Sequence, residues 1–380
     1  MAKQRSIFEE VGDTPRQAPA AGGLIDGAKA GARRAIRIWL LILMALVAAM
    51  ILVGGLTRLT DSGLSITEWK PVTGAIPPLG EADWSAEFAR YQASPQYAHM
   101  NAGMTLEAFK GIYWWEWGHR LLGRLVGLVW AAGFLFFLAT RRIPAGWTGR
   151  LLLPGLLGGV QGAIGWWMVA SGLTGEMTSV ASTRLAVHLG LAFVILGLLW
   201  WYAQAMGRPE AALMQARRAR EPKAFGLATG VLHLAFLQIL LGALVAGIDA
   251  GRSFTDWPLM GGAFFPETGW DLTPWWLNFT ENAGLVQFIH RCTGYLVLIL
   301  ALVAWNRGRK SPHAATRMAF SAMAVMILVQ VVLGIATVLS AAQLHAAITH
   351  QAGAILAWLL ILRARFLAQY PLQQSIRGAK

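Results

Sequence analysis

The sequence reads as an all-α polytopic membrane protein: eight transmembrane helices in two tandem four-helix bundles, related by a pseudo-twofold axis along the membrane normal. Three observations carry this. Of 380 residues, 56% are hydrophobic and 13% charged, against roughly 25% charged in an ordinary soluble domain, which excludes a soluble enzyme with a wet surface. The apolar residues recur in stretches of about 20, the length that crosses roughly 30 Å of hydrocarbon at 1.5 Å per residue. The second half of the chain also repeats the first at a fixed offset.

Apolar windows put the spans at about 36–57, 119–139, 150–171, 184–206, 224–247, 287–305, 316–339 and 345–364. Residues 1–35 are rich in Ala, Gly and Pro, hold neither a long apolar run nor a cleavable-signal pattern, and are expected to be a disordered cytoplasmic tail. The first bundle is expected over 36–206, a cytoplasmic linker over 207–223, the second bundle over 224–365 and a cytoplasmic tail over 366–380. Basic residues cluster at Arg33, Arg34 and Arg37, at Arg141, Arg142 and Arg150, at Arg208 to Lys223, at Arg307 to Arg317, and at Arg363 and Arg365, all on one side of this topology. By the positive-inside rule that side is the cytoplasm, so both termini lie inside a bacterial-type inner membrane. The net charge of +13 is then topological information, and no nucleic-acid partner is needed to explain it. The outer segments, about 58–118 and 248–286, carry acids instead, among them Glu81, Asp83, Asp256 and Glu267. A single cysteine, Cys292, excludes an intramolecular disulfide.

The repeat is read residue by residue. GGLTRLTDSG at 54–63 matches GALVAGIDAG at 242–251, and the offset of 188 goes on to pair Thr67, Glu68 and Trp69 with Thr255, Asp256 and Trp257. Further along, GHRLLGRLVGL from Gly118 matches IHRCTGYLVLI from Ile289, and Gln161, Gly165 and His188 match Gln330, Gly334 and His350. An even number of spans per unit inserts both copies the same way round.

Of eight histidines, four respect the repeat: His119 with His290, and His188 with His350. Each falls within about six residues of the outer end of an even-numbered span, roughly 9 Å deep at most. One imidazole among apolar helices is more often satisfied by a structural hydrogen bond than by a metal. Four at matched depth, two per bundle, favour metal, because two imidazoles facing across a bundle grip the iron of a porphyrin from both sides. Zinc, the competing metal, wants about four ligands per site, and the second half has too few near His290 and His350. The sequence therefore implies one haem-sized site per half, near the outer membrane face. Arg120 and Arg291 each follow a histidine at the water boundary, where a guanidinium binds haem propionates or pairs with headgroups. His99, His233, His313 and His345 are left as non-ligands, with His345 the closest to a true candidate.

The halves also differ. Glu116 stands opposite Gln287, three residues before His119, so on a continuous helix it shares the histidine's face. Such a carboxylate moves protons or stabilises positive charge on a substrate; the plainer reading is an acid favoured by the helix N-terminus. Arg58 and Arg124 likewise have neutral counterparts, Ala246 and Tyr295. Chemistry is therefore expected in the first bundle and cofactor retention in the second.

Two long stretches, GGLTRLTDSGLSITEWKPVTGAIPP at 54–78 and YWWEWGHRLLGR at 113–124, resemble the haem A synthase family, and the resemblance extends from about Ile36 to Arg365. It implies conversion of haem O to haem A by two successive hydroxylations of the C8 methyl, the gem-diol losing water to leave a formyl group. It further implies that His290 and His350 hold a permanent haem b, that His119 and His188 face the substrate haem, and that Glu116 is the essential carboxylate. The outer-loop cysteine pair of some family members is missing. Haem O synthase is an implied upstream partner, membrane lipid the medium, and the glycines of the first span allow a homo-oligomer, while the electron donor is left unassigned. Gly54, Gly55, Gly158, Gly159 and Gly162 suit close helix approach or a flat macrocycle. The rival readings are a dihaem cytochrome b-type electron-transfer subunit and a tetrapyrrole transporter built from parallel repeats.

Overall fold

The computed structural model describes residues 24–372, with side chains from Gly31 onward. Eight of its helices are long and apolar enough to cross a membrane, their best windows having mean hydropathies of 1.3 to 2.7. In chain order the helices are α1 (Leu24–Leu59), α2 (Glu81–Gln92), α3 (Pro95–Met100), α4 (Leu106–Ala139), α5 (Thr148–Gly172), α6 (Ser182–Met206), α7 (Glu210–Arg218), α8 (Pro222–Gly247), α9 (Asn278–Glu281), α10 (Ala283–Gly308), α11 (Ala314–Leu339) and α12 (Leu344–Gln369). Among the described residues the only extended pairing is an isolated bridge between Met260 and Ala263.

Capping explains why several helices start where they do. Thr105 accepts a hydrogen bond from the Ala108 amide and starts α4; Asn282 accepts one from Leu285 and starts α10. Pro95 and Pro222 occupy first turns, where a missing N–H costs nothing. The cap at Thr105 carries α4 well ahead of the expected start at 119. The first helix likewise begins at Leu24, so residues 24–35, expected to be a disordered tail, are helical instead. The other end of α12 runs to Gln369, past the expected boundary at 365, and α7 occupies the linker. The expected tails over 1–23 and 373–380 lie outside the described residues.

Within the first half α1 packs on α4 and α6, and α5 joins α4 to α6; within the second α8 packs on α10 and α12, with α11 between those two. Contacts of α6 with α8, and of α12 with α1 and α6, join the halves. Leu40, Leu43, Phe193 and Leu196 are buried there with Trp358 and Ile355 of α12. The second half packs more closely, through Ala224, Ala228, Ala301 and Ala304, small residues that let helix backbones approach. Outward faces remain apolar: Leu128 on α4 is 66% exposed and Val325 on α11 62%, which suits lipid and not water.

The first outer segment is a folded cap. Tyr91 and Phe109 are stacked with ring centroids 5.2 Å apart, beside Trp84 and Tyr113. Gln96 ties this cluster to the end of α1 by donating to the Asp61 carbonyl at 3.1 Å. Asp61 and Asp249, equivalent under the repeat, both have φ near +50°, a left-handed geometry that Asp tolerates better than most residues.

Candidate functional site

All four repeat-matched histidines lie on the wall of one connected, mostly apolar cavity of about 1020 Å³. That is the upper end of ordinary small-molecule sites, about 300–1,000 Å³. The rings of each pair, His119 with His188 and His290 with His350, open onto this same cavity. A glycine on the neighbouring helix seats every ring. A Cβ built on Gly54, Gly165, Gly242 or Gly334 would come within 3.1, 2.9, 3.1 or 3.2 Å of His119, His188, His290 or His350 respectively. Gly158, Gly159 and Gly162 of α5 also border the cavity and face open space, so at these three positions the wall of the first half carries no side chain. Their counterparts in the second half are Ile327, Leu328 and Val331. His99, His233 and His345 are exposed, His313 is half-buried, and none of the four lines the cavity.

Glu116 is 2% exposed and accepts four hydrogen bonds. Ser65 Oγ and the Ile66 amide donate to Oε2 at 2.7 and 2.8 Å, and Arg120 donates to Oε1 from Nη2 at 2.6 Å and from Nε at 3.1 Å. It sits in the third turn of α4, beyond reach of the helix N-terminus, so the macrodipole does not account for it. The carboxylate links α4 to the chain leaving α1, on the cavity wall beside His119.

Arg120 and Arg291 hold the loop that follows α1 or α8. Arg120 donates to the Glu68 and Ile66 carbonyls at 3.0 and 2.7 Å, and Arg291 to those of Asp256 and Phe254, both at 3.0 Å, four carbonyls paired by the offset of 188. Arg291 also donates to the Leu259 carbonyl at 3.0 Å. A guanidinium has about five N–H donors. Four bonds within the protein leave Arg120 one of them, and three leave Arg291 two.

Three glutamines were not given a role by the sequence. Gln161, Gln238 and Gln330 donate their amide N–H to the backbone carbonyls of His188, His290 and His350 at 2.9, 2.9 and 2.6 Å. The Oε1 atoms of all three are buried without a partner. The repeat pairs Gln161 with Gln330, and that pairing was the available signal; Gln238, opposite Met50, gave none. Gln351, next to His350, crosses between the halves: it donates to the Ile51 carbonyl at 2.7 Å, and a Cβ on Gly55 would strike its Oε1.

This donor set suits an iron macrocycle. Among the described residues no three His, Cys, Asp or Glu side chains gather as they would for a bare ion. Each half offers two imidazoles, and a porphyrin supplies the remaining nitrogens from its own ring. The Nδ1 atoms of His290 and His350 are buried and unpartnered, as in rings awaiting orientation by a ligand.

Residues 37–362 match the family model described as cytochrome oxidase assembly protein. A protein of Ruegeria sp. (strain TM1040) named heme A synthase is 65% identical over 98% of this chain and 99% of its own length. Proteins of that name from Ruegeria pomeroyi and Paracoccus denitrificans are 65% and 62% identical, the first over 100% of both chains and the second over 99% of each.

Proposed function

The chain belongs to the family of cytochrome oxidase assembly proteins, and on that premise we propose that it is a haem A synthase, a membrane oxidoreductase converting haem O to haem A. One observation supports the reading above others: two pairs of glycine-seated histidines share a cavity, and a buried carboxylate stands beside only the first pair. Haem O is the substrate, held between His119 and His188 in the bundle of 36–206. His290 and His350 hold haem b in the bundle of 224–365. Haem b, when bound, supplies one-electron transfer.

The C8 methyl of haem O is oxidised by two successive hydroxylations, and the gem-diol loses water to give the formyl group. Glu116, fixed by four donors, presents negative charge beside the substrate and steadies positive charge developing on it. Arg120 and Arg291 keep the outer loops folded over the sites and offer their spare N–H groups to propionates. The bare wall at Gly158, Gly159 and Gly162 faces a flat macrocycle whose farnesyl tail stays in lipid, which supports entry from the side. Both termini lie in the cytoplasm of a bacterial-type inner membrane and the sites lie near the outer face. Recurrence of the glycine seats, of the loop-holding arginines and of the Asp61 and Asp249 turns supports a pseudo-twofold relation between the bundles.

The test is pigment extraction from the purified chain beside Glu116→Ala and His290→Ala. The parent yields haem B together with haem O and haem A or a hydroxylated intermediate. Glu116→Ala keeps haem B and forms no product; His290→Ala loses the low-spin haem b spectrum. Haem B alone in the parent would make the chain a dihaem electron-transfer subunit, and His119→Ala removing that spectrum while His290→Ala kept it would reverse the halves.

A further inference from the structure

We propose that Gln161, Gln238 and Gln330 are positioning residues for the iron-binding histidines, and that Met50, in the place of a fourth glutamine, leaves His119 the loosely held ligand. This rests on the reading of the four histidines as haem ligands and adds which of them holds firmly.

In metal sites the groups that hold a ligating histidine from outside fix its orientation and strengthen its grip on the metal. In the second half Gln238 and Gln330 each donate to their histidine's own backbone carbonyl, at 2.9 and 2.6 Å, and Gln238 Nε2 also lies 3.3 Å from His290 Nε2. In the first half Gln161 Nε2 lies 3.1 and 3.3 Å from His188 Nδ1 and Nε2 and 2.9 Å from the His188 carbonyl. Each of these three histidines is thus held by an amide donor from another helix.

His119 is the exception. Gln238 reaches His290 by lying against Gly294, one turn beyond the histidine, where a Cβ would come 3.2 Å from its Nε2. The equivalent Gly123, one turn beyond His119, is met instead by Met50, whose Cε would lie 2.9 Å from such a Cβ. Met50 and Gln238 are related by the same offset of 188. A thioether has no N–H to give the His119 carbonyl. The second site therefore has two braced histidines, as suits a resident cofactor. The first has one braced and one free, as suits a substrate that arrives and departs.

Carbon monoxide reads this directly, because it binds reduced haem only where an axial ligand lets go. The full-length purified chain with its haems is reduced and mixed with carbon monoxide, and haem transfer to excess apomyoglobin is followed in parallel. The parent shows one reactive class of haem. Met50→Gln slows carbon monoxide binding about tenfold. Gln238→Leu and Gln330→Leu add a second reactive class and release haem B about 10–100-fold faster, the usual cost of losing such a partner. Parent-like carbon monoxide binding in Met50→Gln, with parent-like retention in both leucine variants, overturns the proposal. His290→Ala separates the two layers. If it loses haem B while the leucine variants do not, only the positioning role falls; if it too retains haem B, the ligand reading falls with it.

Discussion

Arg120 and Arg291 occupy equivalent positions, hold equivalent loop carbonyls, and differ in what stands one turn before them. In the first half Glu116 meets Arg120 Nε and Nη2 and also takes the Ser65 and Ile66 donors. In the second, Gln287 donates to the Phe254 carbonyl at 3.0 Å, and its Oε1 and Arg291 Nε are both left buried and unpartnered. The loop is held in either case, so an acid is not required for holding it. The extra charge is what the first half has and the second does without.

The largest expected effect breaks this contrast outright. Glu116→Ala strands Arg120 without its buried partner and is expected to cost about 3–5 kcal/mol, read by thermal unfolding in detergent. Gln287→Ala, which removes one neutral hydrogen bond, is expected to cost only about 1 kcal/mol. Equal losses would mean that the carboxylate is no more than loop support. Next come the glycine seats. Gly165→Ala and Gly334→Ala press a methyl onto His188 and His350 and are expected to cost about 1–3 kcal/mol with loss of bound haem, while Gly158→Ala, facing open space, stays within about 0.5 kcal/mol of the parent.

A smaller effect is expected where the halves meet. Arg58 donates to Asp61 at 3.0 Å and to Asp249 at 2.7 Å, joining the two acids that the repeat makes equivalent. Asp249 is half exposed, so a double-mutant cycle between Arg58 and Asp249 is expected to give about 0.5–1 kcal/mol, less in high salt. The smallest effect is in the cap. Lys70 hydrogen-bonds Glu68 and holds its carboxyl below the usual value of 4.5. A lowered carboxylate stabilises the fold above its unfolded pKa and ceases to as pH falls through the folded one. Hydrogen exchange in the first outer segment is thus expected to quicken slightly below about pH 4, with the membrane helices unaffected.

The eight spans were legible because a bilayer imposes length and apolarity on every crossing, and the repeat was legible because matched residues keep matched neighbours. What the sequence hid follows from tertiary contacts. The early start of α4 depends on a cap at Thr105 and on packing of Phe109 and Tyr113 in the outer cluster, neither of which shows as an apolar window. Glu116 was found by contrast with Gln287, yet its partners Ser65 and Ile66 lie about 50 residues away and left no periodic signal. Arginines expected at propionates are largely occupied with loop carbonyls, since backbone acceptors are invisible in a sequence. Gly54 and Gly55, read together as suiting close helix approach or a flat macrocycle, separate in the structure into a seat for His119 and a space for Gln351.

That last contact ties the two halves of the chain together. Gln351 adjoins His350, and its grip on the Ile51 carbonyl falls within one helical turn of Gly54, on which His119 rests. Any ligand that shifted α12 would therefore press on the bed of the opposite imidazole, and by reciprocity a ligand at His119 would alter its affinity in turn.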